Sequence, residues 1–103
     1  MLPPSAWDIV IRFGQADDIG RVDTLAALDS ARPIDGDVLV AEVGDEAIAA
    51  IDLHNGRAVA NPMRPTAEAV RLLQLRREQV RAETRERRTR RRHPLAAVAA
   101  LLR

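Results

Sequence analysis

Ile9, Ile11 and Phe13 alternate with Val10 and Arg12, a period-two pattern that predicts a short strand, and Gly14 ends it. Ile19, Val22, Leu25, Ala26 and Leu28 then recur at helical spacing and give the next segment one apolar face. Asp17 or Asp18 stands where a carboxylate would cap that helix by accepting the free N–H groups of its first turn. The stretch from Asp29 to Gly36, with Pro33 inside it, breaks the periodicity.

The strongest local signal follows. Val38–Val43 and Glu46–Leu53 are β-type runs joined by Gly44-Asp45, and glycine at the first central position suits a type II′ hairpin. Asn55-Gly56 joins the second run to Arg57–Asn61, a pairing that predicts a type I′ hairpin. Three antiparallel strands in a meander are expected, with the first strand joining the same sheet after one helical crossover.

Pro62 and Pro65 stop the strands, and Thr66 is placed to cap a long helix. Ala69, Val70, Leu72, Leu73 and Val80 make its early turns amphipathic, with Leu75 widening the apolar face. Beyond Val80 the apolar stripe vanishes. Glu83 with Arg87 and Glu86 with Arg90 stand at i,i+4 in the favoured order, so the helix can continue in solvent until Arg90-Arg-Arg-His-Pro94 ends it. Leu95 to Leu102 is a terminal apolar patch of helix-forming residues, too short to be stable alone. The fold class expected is α+β: a small, mostly antiparallel sheet followed by a long C-terminal helix. Its organisation reads as residues 1–80 in one packed unit, 81–94 as an Arg-rich helix extension or flexible arm, and 95–103 as a short apolar helix.

Composition narrows the chemistry. The 103 residues leave room for one core, and the absence of cysteine excludes disulfides, thiolate zinc sites and thiol nucleophiles. No apolar run approaches a membrane span, and the N-terminus lacks the pattern of a signal peptide, so a cytoplasmic location is the expectation. The net charge of +1 hides a split: residues 1–60 hold eleven acids and four arginines, whereas 61–103 hold twelve arginines and four glutamates. An acidic body that docks its own basic arm, or a basic arm aimed at an external polyanion, would each account for this.

The order strand, helix, three-strand meander, helix resembles the N-terminal half of GNAT-family N-acetyltransferases over roughly residues 9–80. Ile11-Arg12-Phe13-Gly14-Gln15-Ala16-Asp17-Asp18 looks like that family's strand-to-helix entry, and Val38 to Glu46 looks like its second strand and turn. The resemblance implies an Arg/Gln-x-x-Gly-x-Gly/Ala loop that holds the acetyl-CoA pyrophosphate at a helix N-terminus. The matching stretch is Arg64-Pro65-Thr66-Ala67-Glu68-Ala69, in which Arg64 and Ala69 fit. Ala67 puts a methyl where the central glycine belongs, Pro65 removes an N–H donor, and Glu68 sets a carboxylate at the positive end of the helix dipole. There is no tyrosine to act as the family's general acid, and no β-type run follows residue 80. A truncated, non-catalytic half-domain with a degenerate cofactor loop and no cofactor is therefore expected.

Nine arginines, Arg76, Arg77, Arg81, Arg85, Arg87, Arg88, Arg90, Arg91 and Arg92, crowd one segment. The plain reading is a solvated helix end or flexible tail. The alternatives are phosphate binding on nucleic acid, which lacks support from interleaved aromatics, an anionic membrane surface, and docking on an acidic protein. His54, with Asp52 two residues before it, reads as an exposed turn histidine rather than a base and its orienter, because no nucleophile lies nearby in sequence. His93 reads as a helix cap, Trp7 as a cover for one end of the core, and two lone histidines give no metal spacing.

The function these observations favour is a small interaction module that contacts partners through its Arg-rich segment. It is expected to be a homodimer, formed through the open edge of the fourth strand or the apolar early turns of the 66–80 helix. One alternative is a nucleic-acid-associated protein binding phosphates through residues 76–92. A second is an acyl-CoA-binding or acetyltransferase remnant completed by a partner chain.

Overall fold

The computed structural model describes residues 8–92. β1 (Ile9–Phe13) leads through a 3-10 turn at Ala16–Asp18 into α1 (Ile19–Leu28), and β2 (Val38–Val43), β3 (Glu46–Asp52) and β4 (Ala58–Ala60) precede α2 (Ala67–Arg92). The four strands form one antiparallel sheet in the order β1-β2-β3-β4. The expected α+β class and meander are therefore observed, and β1 joins the sheet beside β2, with Ile9 opposite Val43 and Phe13 opposite Leu39.

Strand alternation divides the core between two helices. Val40, Ala50 and Val59 face Val22, Leu25 and Ala26 of α1. Leu39, Ala41, Ala49 and Ile51 face Ala69 and Leu73 of α2 on the other side. One irregularity interrupts the alternation of β3: the β2–β3 register slips between Ala41 and Glu42, so Ile48 is the extra residue and buries on the α2 side with its neighbour Ala49.

Local expectations are corrected at two places, the start of α1 and the second hairpin, and met at the first hairpin. Asp18 makes no cap bond to α1; the 3-10 turn intervenes, and its carboxylate accepts the Gln15 N–H at 2.7 Å and the Arg12 guanidinium instead. The Gly44-Asp45 hairpin does close with two residues, and Gly44 takes the positive φ (+60°) that type II′ requires. At the next hairpin, β3 ends at Asp52 rather than Leu53, and β4 spans only Ala58–Ala60. A longer loop replaces the type I′ turn: only Gly56 has positive φ (+79°), and its N–H reaches the Asp52 carbonyl at 2.9 Å. The Asp52 carboxylate stabilises that loop by accepting the N–H groups of His54 (2.7 Å) and Asn55 (3.1 Å).

α1 closes with a Schellman arrangement, in which the Ala31 N–H reaches the Ala26 carbonyl and the Ser30 N–H reaches that of Ala27. The left-handed position falls on Ser30 (φ +53°), where glycine is usual. Thr66 directly precedes α2, and its carbonyl accepts the Val70 N–H at 2.9 Å. The helix then runs unbroken to Arg92, and every residue from Arg81 to Arg91 is exposed.

Candidate functional site

The second half of α2 leaves the body of the molecule as an arm. At 1.5 Å per residue, residues 81–92 extend about 18 Å. The arm stays helical because its preceding turns are docked: a helix of this length alone would be marginal in water. Ala69 and Leu73 of that docked part are completely buried, and Arg77 fastens its end to the β3–β4 loop. The Arg77 side chain is only 14% exposed and donates to the carbonyls of Leu53 (3.1 Å) and His54 (2.9 Å). Its guanidinium lies over Gly56 so closely that a Cβ there would stand 3.0 Å from Nη1. Arg81 adds a third bond, to the His54 carbonyl at 3.2 Å.

Eight of the nine arginines thus divide by role, and the side chain of Arg92 lies outside the described residues. Arg77 and Arg81 anchor the helix. Arg76 bonds Gln79 and pairs with Glu83 at 3.8 Å, which displaces the expected Glu83–Arg87 pair, while Arg90 pairs with Glu86 at 2.8 Å as the spacing predicts. The side chains of Arg85, Arg87, Arg88 and Arg91 have no hydrogen-bond or ion-pair partner among the described residues, so the arm does not fold back onto the acidic body. Asp37, Leu53, His54, Val80, Arg81, Thr84, Arg85 and Arg88 line an open cleft of about 650 Å³ where the arm leaves the loop.

Helical geometry sorts these charges by face. At about 100° per residue, Arg81, Arg85, Arg88 and position 92 fall within an arc of about 60°. Glu83 and Glu86, the two acids of the arm, lie about 100° or more away from that stripe. One face of the arm is therefore purely cationic, and the acids sit on the other face beside Arg76 and Arg90.

The densest ionic cluster is elsewhere and is structural. Arg12 on β1 donates to both oxygens of Asp18 at 2.7 Å each and, through Nε, to Glu42 at 2.7 Å, with Arg21 close to both acids. Two cations balance two anions, and Asp18 is almost fully buried. Hydrogen bonds from Arg12, reinforced by the Gln15 N–H, hold the Asp18 carboxyl well below the ordinary carboxylate range, and Arg12 also lowers that of Glu42, while the two carboxylates push the Arg12 guanidinium up. Sequence reasoning missed this cluster. Its signal was an arginine inside a strand that the β1–β2 pairing brings beside Glu42, thirty positions away.

His54 is exposed at the tip of the loop, and Asp52 bonds backbone amides rather than the imidazole, so the two form no base and orienter. In the stretch matching a phosphate loop, Arg64 lies within 3.4 Å of Glu46, Ala67 is exposed and Ala69 is buried in the core. Among the described residues, no three acidic or histidine side chains gather where they could hold a metal ion, and no helix is long and apolar enough to cross a membrane. Trp7, His93 and the 95–102 patch lie outside the described residues. The chain matches no known protein family, no curated protein and no solved structure.

Proposed function

We propose that the protein is a non-catalytic binding module: a small body, one sheet between two helices, that holds out a cationic helical arm to an anionic partner. The observation that carries the reading is the set of four exposed, partnerless arginines, Arg85, Arg87, Arg88 and Arg91, on a helix clamped to the body by Arg77. Uncompensated like charges three and four residues apart cost helix stability, about 0.2–0.5 kcal/mol per pair, unless a partner neutralises them. The likeness of the element order to an acetyltransferase half remains part of the proposal as an account of the body. The engagement of Arg64 by Glu46 and the buried Ala69 support a phosphate loop without a cofactor.

Elution from immobilised heparin tests the reading. The intact chain is expected to be retained at physiological ionic strength, and a variant with Arg85, Arg87, Arg88 and Arg91 changed to Gln is expected to elute at much lower salt. Identical elution of the two would overturn it. Self-association belongs to the same proposal. β4 is an outer strand whose Ala60 N–H is taken by Asp29 at 3.1 Å, leaving only a short edge for pairing. Light scattering that gave a monomer at tens of micromolar would remove the dimer.

A further inference from the structure

We infer that the arm's partner is the phosphodiester backbone of a double-stranded nucleic acid, held along the stripe formed by Arg81, Arg85, Arg88 and position 92. The inference deepens the binding-module reading and rests on it. Three observations select this partner among anions.

The first is segregation. Both acids of the arm are turned away from the stripe, and Arg76 and Arg90 neutralise them on the far side. A solvated helix gains nothing from such sorting, since mixed charges on each face would give more i,i+4 pairs. A continuous row of anions does gain from it. The stripe rises about 16 Å, and one strand of a duplex places about five phosphates along that axial length, at 3.4 Å each. The guanidiniums of Arg81, Arg85 and Arg88, one for each three or four residues of rise, therefore meet a row of negative charge of similar spacing.

The second observation concerns what the arm lacks. From Arg81 to Arg92 the single apolar residue is Ala82. A helix that lies on a membrane needs an apolar face to bury among the acyl chains, and a protein interface needs an apolar or aromatic centre from which water is excluded. Backbone phosphates need neither, because release of condensed counterions supplies the affinity.

The third is the root of the stripe. Arg81 is held by the His54 carbonyl, so the stripe begins at a fixed point beside the cleft, where Thr84 and His54 stand with Arg85 and Arg88. The row of cations is thereby aimed in one direction from a rigid body. No element here reads bases, and the binding is expected to be independent of sequence.

The test is fluorescence anisotropy of a labelled DNA duplex and a labelled RNA duplex of random sequence, each titrated with the full chain between 50 and 200 mM salt. With four phosphates neutralised, affinity for DNA should fall about 150-fold over that range. Replacing Arg85, Arg88 and Arg92 with Gln should weaken binding and reduce the salt effect to about 4-fold, as expected for one remaining contact. A control with Arg87, Arg90 and Arg91 changed to Gln carries the same loss of charge on the other faces and should keep most of the salt dependence. Circular dichroism confirms that both variants fold. Equal losses in the two variants would overturn the stripe while leaving a cationic arm. Retention on heparin without binding to either duplex, or preference for phosphatidylserine vesicles or a polyglutamate over both, would overturn nucleic acid as the partner and leave the binding-module reading standing. Binding to one duplex type alone would support the inference and assign its source.

Discussion

Replacing Asp18 with Asn is the perturbation that most directly probes how the body is held together. The carboxylate is 2% exposed and accepts two bonds of 2.7 Å from Arg12, with a third from the Gln15 N–H. An amide can keep the backbone bond and one guanidinium bond, but it removes the negative charge. Breaking a buried pair by deleting one partner costs about 3–5 kcal/mol when the other charge is stranded. Arg12 is not wholly stranded, because Glu42 remains at 2.7 Å and the side chain is 30% exposed. The lower end of the range applies, about 3 kcal/mol, which for a domain of this size lowers Tm by roughly 12–24 °C. Urea unfolding at pH 7 reads the first quantity and calorimetry the second. The pH dependence separates this cause from a general loss of packing. Asp18 and Glu42 both ionise more readily in the folded state, so their contribution is complete above the unfolded carboxylate range, near 4, and drains away as pH falls below it. The wild-type chain should lose stability steeply on acidification, and D18N should lose distinctly less, so the two curves converge. Leu73→Ala, which opens a cavity at a fully buried site and costs about 3 kcal/mol, should instead run parallel to wild type. A D18N effect below about 1 kcal/mol, or a curve parallel to wild type, would refute the assignment.

Other substitutions test the turns and the clamp. Ser30→Gly relieves a left-handed residue that closes α1 and should stabilise the protein by about 1 kcal/mol in urea unfolding. Gly56→Ala meets both a φ of +79° and the Arg77 guanidinium, and should destabilise by about 1–2 kcal/mol. Arg77→Gln removes the bonds to Leu53 and His54; hydrogen exchange should quicken at the amides of residues 53–57 and along α2 beyond Leu73, while the β1–β2 amides keep their protection. Thr84→Pro should reduce the helical signal in far-UV circular dichroism yet shift Tm by no more than about 2 °C, since no residue from Thr84 to Arg91 holds the body together.

The elements that the sequence made legible are those governed by short-range chemistry. Alternation at Ile9–Phe13, glycine at Gly44 and proline at Pro62 and Pro65 each act within a few residues, and the strands and helices fall where they indicate. The misreadings arise where distant residues compete for the same group. Asp18 has the chemistry of a helix cap, but Arg12 offers a charged donor pair that outcompetes backbone N–H groups at the start of α1. Asn55-Gly56 has the composition of a tight turn, but the Asp52 carboxylate gathers two amides and lengthens the loop. The bulge at Ile48 leaves no mark in a run of Ala and Ile that is apolar on both faces. Within the arginine segment, composition revealed the charge and concealed its division: nothing local distinguishes Arg77, which clamps a loop, from Arg88, which has no partner.

That division explains how so cationic a helix persists. Seven arginines against two glutamates between residues 81 and 92 would disfavour helix in isolation, since like charges recur at i,i+3 and i,i+4 along the stripe. The nucleation cost is met in the preceding turns, where Ala69 and Leu73 bury against β3 and Arg77 ties the helix to the loop; each further residue then needs only to propagate. Beyond Arg81 the body thus acts on the arm through cooperativity rather than through hydrogen bonds or ion pairs. Because the arm is already helical when a partner arrives, binding incurs little ordering cost, and the repulsion stored along the stripe is relieved by any row of anions that neutralises it. An unstructured tail of the same composition would have the same net charge but would have to be ordered at the moment of binding. The clamp at Arg77 is therefore the residue through which the stability of the sheet and the affinity of the arm are coupled: weakening it should loosen the arm and reduce polyanion affinity together, although Arg77 itself is occupied by two carbonyls and lies outside the exposed row.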